Sequence, residues 1–195
     1  MHPNLPDIAY YYALKVEARK WVANAISKKC DEFEGPSHWD KITLASIDEE
    51  AIEYARTEWP KYHSDNPNYR LPYSWEKLYH RFFRRPSYFD LAIWQIVDGK
   101  RILQGLALGK PSNHKTRLSI NWIESSFAPT YMQGGILPLV LLTAEQYGRL
   151  LGSKCVLIRD ATDHNSFMRY GYESVSMKYV GLVLKKELRY VDAEQ

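Results

Sequence analysis

The sequence predicts an α+β fold: a mixed, mostly antiparallel sheet flanked by helices, with an extra helix at the N-terminus. Three observations predict it. First, strand-like runs at residues 89–97, 101–108 and 117–124 follow one another, the first two joined by Asp98-Gly99, a dipeptide suited to a tight hairpin. Second, residues 134–151 carry helical spacing with an almost continuously apolar first half (Ile136, Leu137, Leu139 to Leu142), which predicts a central, deeply packed helix. Third, a strand at 154–159, a short helix near 163–169 and strands around 173–187 complete one mixed sheet.

Taken in order, residues 7–29 read as a helix because Ile8, Tyr11, Leu14, Ala18, Val22 and Ile26 recur at helical spacing, with Asp7 placed to cap the first turn. Residues 30–39 contain Gly35-Pro36-Ser37 and read as a linker. The expected division is therefore an N-terminal helix and linker (1–40) and one domain (41–195). Residues 41–47 alternate like a short strand, and Asp48-Glu49-Glu50 opens a second helix that stops near Pro60. Residues 58–73 hold three prolines and several aromatics without a period, which predicts a long loop. Ser74 then caps a helix running to about Arg84. Gly152 ends the central helix, and Pro138 fits that helix only in its first turn, where a missing N–H costs nothing.

Composition narrows the function. With 45% hydrophobic and 25% charged residues, the chain is built to fold and not to stay disordered. The longest apolar run, 136–143, falls well short of the roughly 20 residues that cross a membrane. The first residues show no basic segment leading into an apolar one, so a cytoplasmic location is expected. A net charge of +3 over the whole chain gives no support for nucleic-acid binding. The basic-aromatic run 80–89 could bind nucleic acid, but it also suits a solvated helix end. Cys30 and Cys155 are isolated and the six histidines are scattered, so no metal site is expected, and Cys155 in an apolar strand reads as a buried, inert thiol. No hydrolase, metalloprotease, Walker or dinucleotide signature occurs.

The main chemical signal is the loop from Glu124 to Leu137, which ends in Gly134-Gly135 at the start of the central helix. Paired glycines there let a ligand approach the backbone, and free amides at a helix start attract phosphate. The plain alternative is a tight strand-to-helix turn. In this stretch the chain resembles the acyl-CoA-binding segment of the GNAT superfamily of N-acetyltransferases. Phe127 stands at the family's apolar strand end, Pro129 at its proline, Tyr131 at a position often aromatic, and Gly135-Ile136 at its first glycine and apolar follower. Residues 165–173 resemble the closing Tyr-x-x-x-Gly-Phe segment, and the likeness spans roughly residues 41–187. The chain departs from the pattern at Met132 (an arginine in the family), Leu137 (a small residue) and Phe167, where many members carry the tyrosine that protonates the departing thiolate.

The resemblance implies a GNAT-like fold and acetyl-CoA as co-substrate, held by Phe127, Met132, Gln133, Gly134, Gly135, Ile136 and Leu137. It implies transfer of the acetyl group to an amine by direct attack in a ternary complex. Such a transfer needs the ammonium deprotonated, and Glu124, near the strand end, is the expected base, with Asp160 a rival and a solvent-facing carboxylate the plain alternative. Partial burial should raise the Glu124 pKa toward neutrality. Tyr170 is the candidate acid, although it and Tyr172 could equally be packing aromatics around Gly171. Trp59, Tyr62, Tyr69 and Tyr73 are the candidate acceptor wall, by stacking or cation–π contact, with Asp65 as a counter-charge; the alternative is a packed hydrophobic lid. The expected partner is a small-molecule or protein amine, with a homodimer left open and neither membrane nor nucleic acid expected. Two other functions stay open: a GNAT-shaped binding or regulatory protein without catalysis, and a nucleic-acid-binding module.

Overall fold

The computed structural model describes residues 5–32, 41–63, 74–128, 132, 134–178 and 180–190. Its elements run α1 (Leu5–Glu32), β1 (Ile42–Ala45), α2 (Glu49–Thr57), α3 (Pro60–His63), α4 (Trp75–Phe83), β2 (Phe89–Val97), β3 (Lys100–Pro111), β4 (Arg117–Ser125), α5 (Ile136–Leu150), β5 (Cys155–Ile158), α6 (His164–Met168), β6 (Glu173–Met177) and β7 (Gly181–Glu187). The seven strands form one sheet in the order β1-β2-β3-β4-β5-β7-β6. Among the described strands only β4 and β5 pair in parallel, and α5 makes the crossover between them. The expected mixed, mostly antiparallel sheet is what the chain forms.

Local chemistry explains the boundaries. Asp98 and Gly99 both take positive φ (50° and 75°) and close the β2–β3 hairpin with the twist its strands need. The Asp48 side chain accepts from the Ala51 N–H (2.9 Å) to start α2, and Ser74 Oγ accepts from the Lys77 N–H (3.3 Å) to start α4. Gly152, at φ 77°, ends α5, and the Ser153 N–H donates back to the Gly148 carbonyl (2.8 Å). Asp7 lies inside the first turn of α1 and not at its cap, because the helix begins two residues earlier.

The sheet has a core on each face. One lies under α1 and α5 and contains Ala18, Val22, Ile93, Ile120, Val140 and Tyr147. The other lies under α2 and α4 and contains Ala51, Trp59, Leu78, Phe82, Trp94 and Leu108. The N-terminal helix is thus built into the main core. Leu14, Ala18, Val22 and Ile26, one turn apart, make its inward stripe. Lys15 Nζ pairs with Asp90 Oδ1 (2.6 Å), and the Arg19 guanidinium donates to Ser46 Oγ (2.8 Å).

Two expectations need correction. Residues 60–63 form the short helix α3 within the expected loop, because Pro60 suits a first helical position and the Lys61 and Tyr62 amides reach back to Glu58 and Trp59 (3.1 and 3.0 Å). Residues 30–32, expected in the linker, continue α1. The rest of that linker, residues 33–40, and residues 64–73 of the loop lie outside the described residues. Cys155 is buried as expected, and burial pushes its thiol pKa up.

Candidate active site

The site is built around a fault in the sheet. On β4, Trp122 pairs with Leu108 of β3 and Ile120 with Gly109, so Asn121 is an extra residue, a bulge. Just there β4 and β5 part. Their pairing covers only Arg117–Ile120 with Cys155–Ile158, and the last backbone bond runs from the Arg159 N–H to the Ile120 carbonyl (3.2 Å). Asp160 then turns the chain away with φ at 54°. Residues 121–125 therefore continue along β3 with their other edge unpaired by β5, and that edge offers alternate N–H and C=O groups to whatever lies in the gap. The Oδ1 atom of Asn121 is buried there without a hydrogen-bond partner.

The bulge also decides which way Glu124 faces. Together with Trp122 it faces the α2/α4 core, and it is only 6% exposed. The indole N–H of Trp75, in the first turn of α4, donates to Glu124 Oε2. Burial raises the Glu124 pKa from 4.5 to about 8. The ionised fraction of such a group, which grows as pH rises toward 8, is basic enough to take a proton, the property a general base needs. Asp160, the rival, is exposed.

The loop before α5 approaches the same strand end. The Ser126 N–H donates to the Gln104 carbonyl (2.8 Å), and the Ala128 N–H to Ser126 Oγ (3.0 Å). Gly134 has φ at 80°, with nothing within 4 Å of where a Cβ would be, and Gly135 is the N-cap of α5 without any side-chain cap. The first turn of α5 is thus an end whose amides have no intrahelical acceptor, approached through glycine backbone. It sits tightly on the sheet: a Cβ on Gly105 would lie 2.6 Å from Ile136 Cγ2.

The other candidates distribute as follows. Met132 is buried in the main core and Leu137 packs against it, so both side chains that depart from the family pattern point inward. Ile136 is buried as well, and Phe127, two residues beyond the end of β4, is largely exposed. Gln133, Pro129 and Tyr131 lie outside the described residues. Phe167 is a core residue packed on Tyr172. The Tyr172 hydroxyl donates to Glu145 Oε1 (3.3 Å), whereas Tyr170 is exposed just beyond α6. Trp59 requires correction as an acceptor-wall residue. It is 1% exposed and its indole N–H donates to the Leu103 carbonyl (3.1 Å), so it is a core residue with no face left for a ligand. Tyr62 is exposed on α3, and Tyr69, Tyr73 and Asp65 lie outside the described residues. Trp75 and Asn121 escaped the reading of the sequence. A buried indole needs an acceptor, but no local pattern links residue 75 to residue 124. Among the described residues no cluster of three metal-ligating side chains occurs, and no helix is long and apolar enough to cross a membrane.

No family model matches the sequence, and no curated protein does. Solved structures do match in shape. YncA from Salmonella typhimurium, solved with its cofactor acetyl-CoA, superposes with a TM-score of 0.53 over 79% of this chain and 98% of its own, at 12% identity. PaiA N-acetyltransferase from Thermoplasma acidophilum, in complex with coenzyme A, matches over 75% and 98% with a TM-score of 0.50, at 20% identity. The ribosomal-protein-S18-alanine N-acetyltransferase from Escherichia coli matches over 79% and 98% with the same score, at 13% identity. The sheet order, the parted strands and these neighbours agree: the chain has the fold of the GNAT superfamily of N-acetyltransferases.

Proposed function

We propose that this protein transfers an acetyl group from acetyl-CoA to an amine acceptor by direct attack. The observation that carries the proposal is Glu124, a buried carboxyl group raised to about 8 beside the gap between β4 and β5. The pyrophosphate would rest on the backbone of Gly134 to Leu137 at the start of α5. The pantetheine arm, which carries two amides, would lie along the unpaired edge of β4, where Asn121 Oδ1 can accept an N–H. Glu124, directly or through a water, removes a proton from the ammonium. The amine lone pair then attacks the thioester carbonyl carbon; the C–N bond forms, the C–S bond breaks, and the thiolate takes a proton from Tyr170 or from water. Acetyl-CoA fits what is present, because Gly134 is exposed with nothing where a Cβ would be, and Met132 and Leu137 turn into the core.

A second reading, a GNAT-shaped acyl-CoA binder without turnover, is favoured by Phe167, a core phenyl ring with no proton to give. Two measurements separate the readings. Acetyl-CoA should raise the melting temperature under both, since a ligand bound only to the folded state stabilises it. Release of free thiol with a panel of amines is expected only under the first. Absence of any thermal shift with acetyl-CoA overturns both.

A further inference from the structure

We propose that the cleft between α1 and the end of α4 binds single-stranded nucleic acid, stacking bases on exposed rings and pairing phosphates with arginines. The cleft measures about 1030 Å³ and opens beside the start of β2. That is at or beyond the upper end of about 300–1,000 Å³ usual for small-molecule sites, and it suits an extended ligand. Its lining carries Lys15, Arg81, Arg84 and Arg85 against one carboxylate, Asp90. Asp90 is already matched, taking Lys15 Nζ at 2.6 Å and the Ile47 N–H at 2.9 Å. The three arginines are exposed, and none of them forms an ion pair among the described residues. Asp48 and Glu49 act on Tyr79 from the start of α2 but do not line the cleft.

The rings are placed as a stacking platform needs them. Phe83, at the end of α4, is 69% exposed and Tyr12, on α1, 60% exposed, and both line the cleft. Phe83 packs against Tyr79 (centroids 5.3 Å apart), and the half-buried Tyr88 against Phe82 (4.9 Å), so these two rings of the cleft are held by neighbouring rings. Exposed rings interleaved with unpaired cations match the recognition of unstacked bases along a phosphate chain. An acidic peptide would satisfy the arginines and leave the ring faces without flat partners. A duplex would keep its bases stacked on each other. The whole-chain charge averages over this surface, where three exposed arginines gather while the charges of Lys15 and Asp90 cancel each other. The site is separate from the acetyl-transfer reading and does not rest on it. Trp75, which holds Glu124, begins α4, whereas Phe83 and Arg84 of the cleft lie at its far end, about 12 Å or more along the helix axis.

The test is fluorescence anisotropy on the full chain with labelled oligo(U) and oligo(dT) of about 12 nucleotides, between about 50 and 200 mM salt. Binding is expected to both, or to the RNA alone if 2′-hydroxyls contribute. The triple variant Arg81→Ala/Arg84→Ala/Arg85→Ala should lose at least about tenfold in affinity and cut the salt slope by about 2. Phe83→Ala, which keeps the charge, should lose about fivefold or more. These side chains are exposed, so neither variant should change the melting temperature or the thermal shift with acetyl-CoA. That second readout reports on the acetyl site independently. The proposal is overturned if neither strand binds at about 100 µM protein in low salt, or if both variants bind like the parent. It is also overturned if Phe83→Ala alone has no effect, or if a duplex or a poly-glutamate peptide competes as well as the single strand.

Discussion

At Glu124, burial and a hydrogen bond act in opposite directions. The Trp75 indole N–H favours the carboxylate, whereas removal from water favours the neutral acid, and burial wins, bringing the pKa to about 8. In the unfolded chain the group returns to about 4.5. Between those two values the folded protein holds a proton that the unfolded chain has released, so stability falls as pH rises from about 4.5 to 8 and levels off above. Glu124→Gln should therefore gain on the parent over that interval, by about 2–4 kcal/mol at pH 9. Urea unfolding of both proteins at pH 5 and pH 9 checks this, and an equal difference at the two pH values would contradict the buried, neutral carboxyl. The same substitution should lower acetyl transfer by roughly 10²–10⁴ and flatten the limb of the pH–rate profile that rises toward pH 8. A parent-like profile in Glu124→Gln would reassign the base to Asp160 or to solvent. Trp75→Phe removes the donor but keeps a ring. If Trp75 positions the proposed base, the apparent pKa in the rate profile should move up while the acetyl-CoA affinity stays unchanged.

At the scale of the element, the seat of α5 on β3 couples the fold to the proposed cofactor loop. Gly105 lets Ile136 pack directly on the strand, and a Cβ there would also lie 3.3 Å from the Glu124 carbonyl. Gly105→Ala should push the first turn of α5 off the sheet, costing about 1–3 kcal/mol and weakening acetyl-CoA binding together. Chemical denaturation alongside a titration with acetyl-CoA tests the coupling; a stability loss without an affinity loss would separate the two. Gly135 is a different case. Its φ of −85° does not require glycine, but its ψ of −20° is helical and the position is buried, so Gly135→Asp should lose some stability and is scored only where circular dichroism shows it folded. It sets a negative charge against the expected pyrophosphate. Unchanged acetyl-CoA affinity in a folded Gly135→Asp protein would remove the loop 132–137 from the cofactor site.

For the whole molecule, the N-terminal helix is the part whose role the fold changes most. Val22 is fully buried in the core shared by α1, α5 and the sheet, and Lys15 and Arg19 tie the helix to Asp90 and Ser46. Val22→Asp places a charge in that core and should destabilise the entire chain by about 3 kcal/mol or more. A calorimetric scan should show one transition at lower temperature. An unchanged main transition, with a separate small one for the helix, would make α1 an appendage.

Much of this architecture was legible along the chain, and the reason is locality. Asp98-Gly99 sets its hairpin by backbone conformation, Asp48 and Ser74 cap helices three residues away, and the apolar run of α5 has nowhere to go but the interior. The glycine-led start of α5 and the carboxyl of Glu124 were visible for the same reason, as a few adjacent residues. The loop 58–73 was only partly legible, because the i to i+3 bonds that close α3 leave no periodic trace over four residues. Partnerships over long separations were not written in any local pattern. Trp59 was read as an acceptor-wall ring, yet its indole finds the Leu103 carbonyl and the ring disappears into the core. The sequence by itself determined the elements, their order and the class of sheet, since these follow from backbone preferences and apolar spacing within a few residues. Only the tertiary structure decided that a bulge at Asn121 turns Glu124 into the α2/α4 core, that Trp75 meets it there, and that Lys15 joins three arginines around one cleft. Side-chain burial, and with it charge state and hydrogen-bond partner, depends on what the whole chain packs against each position.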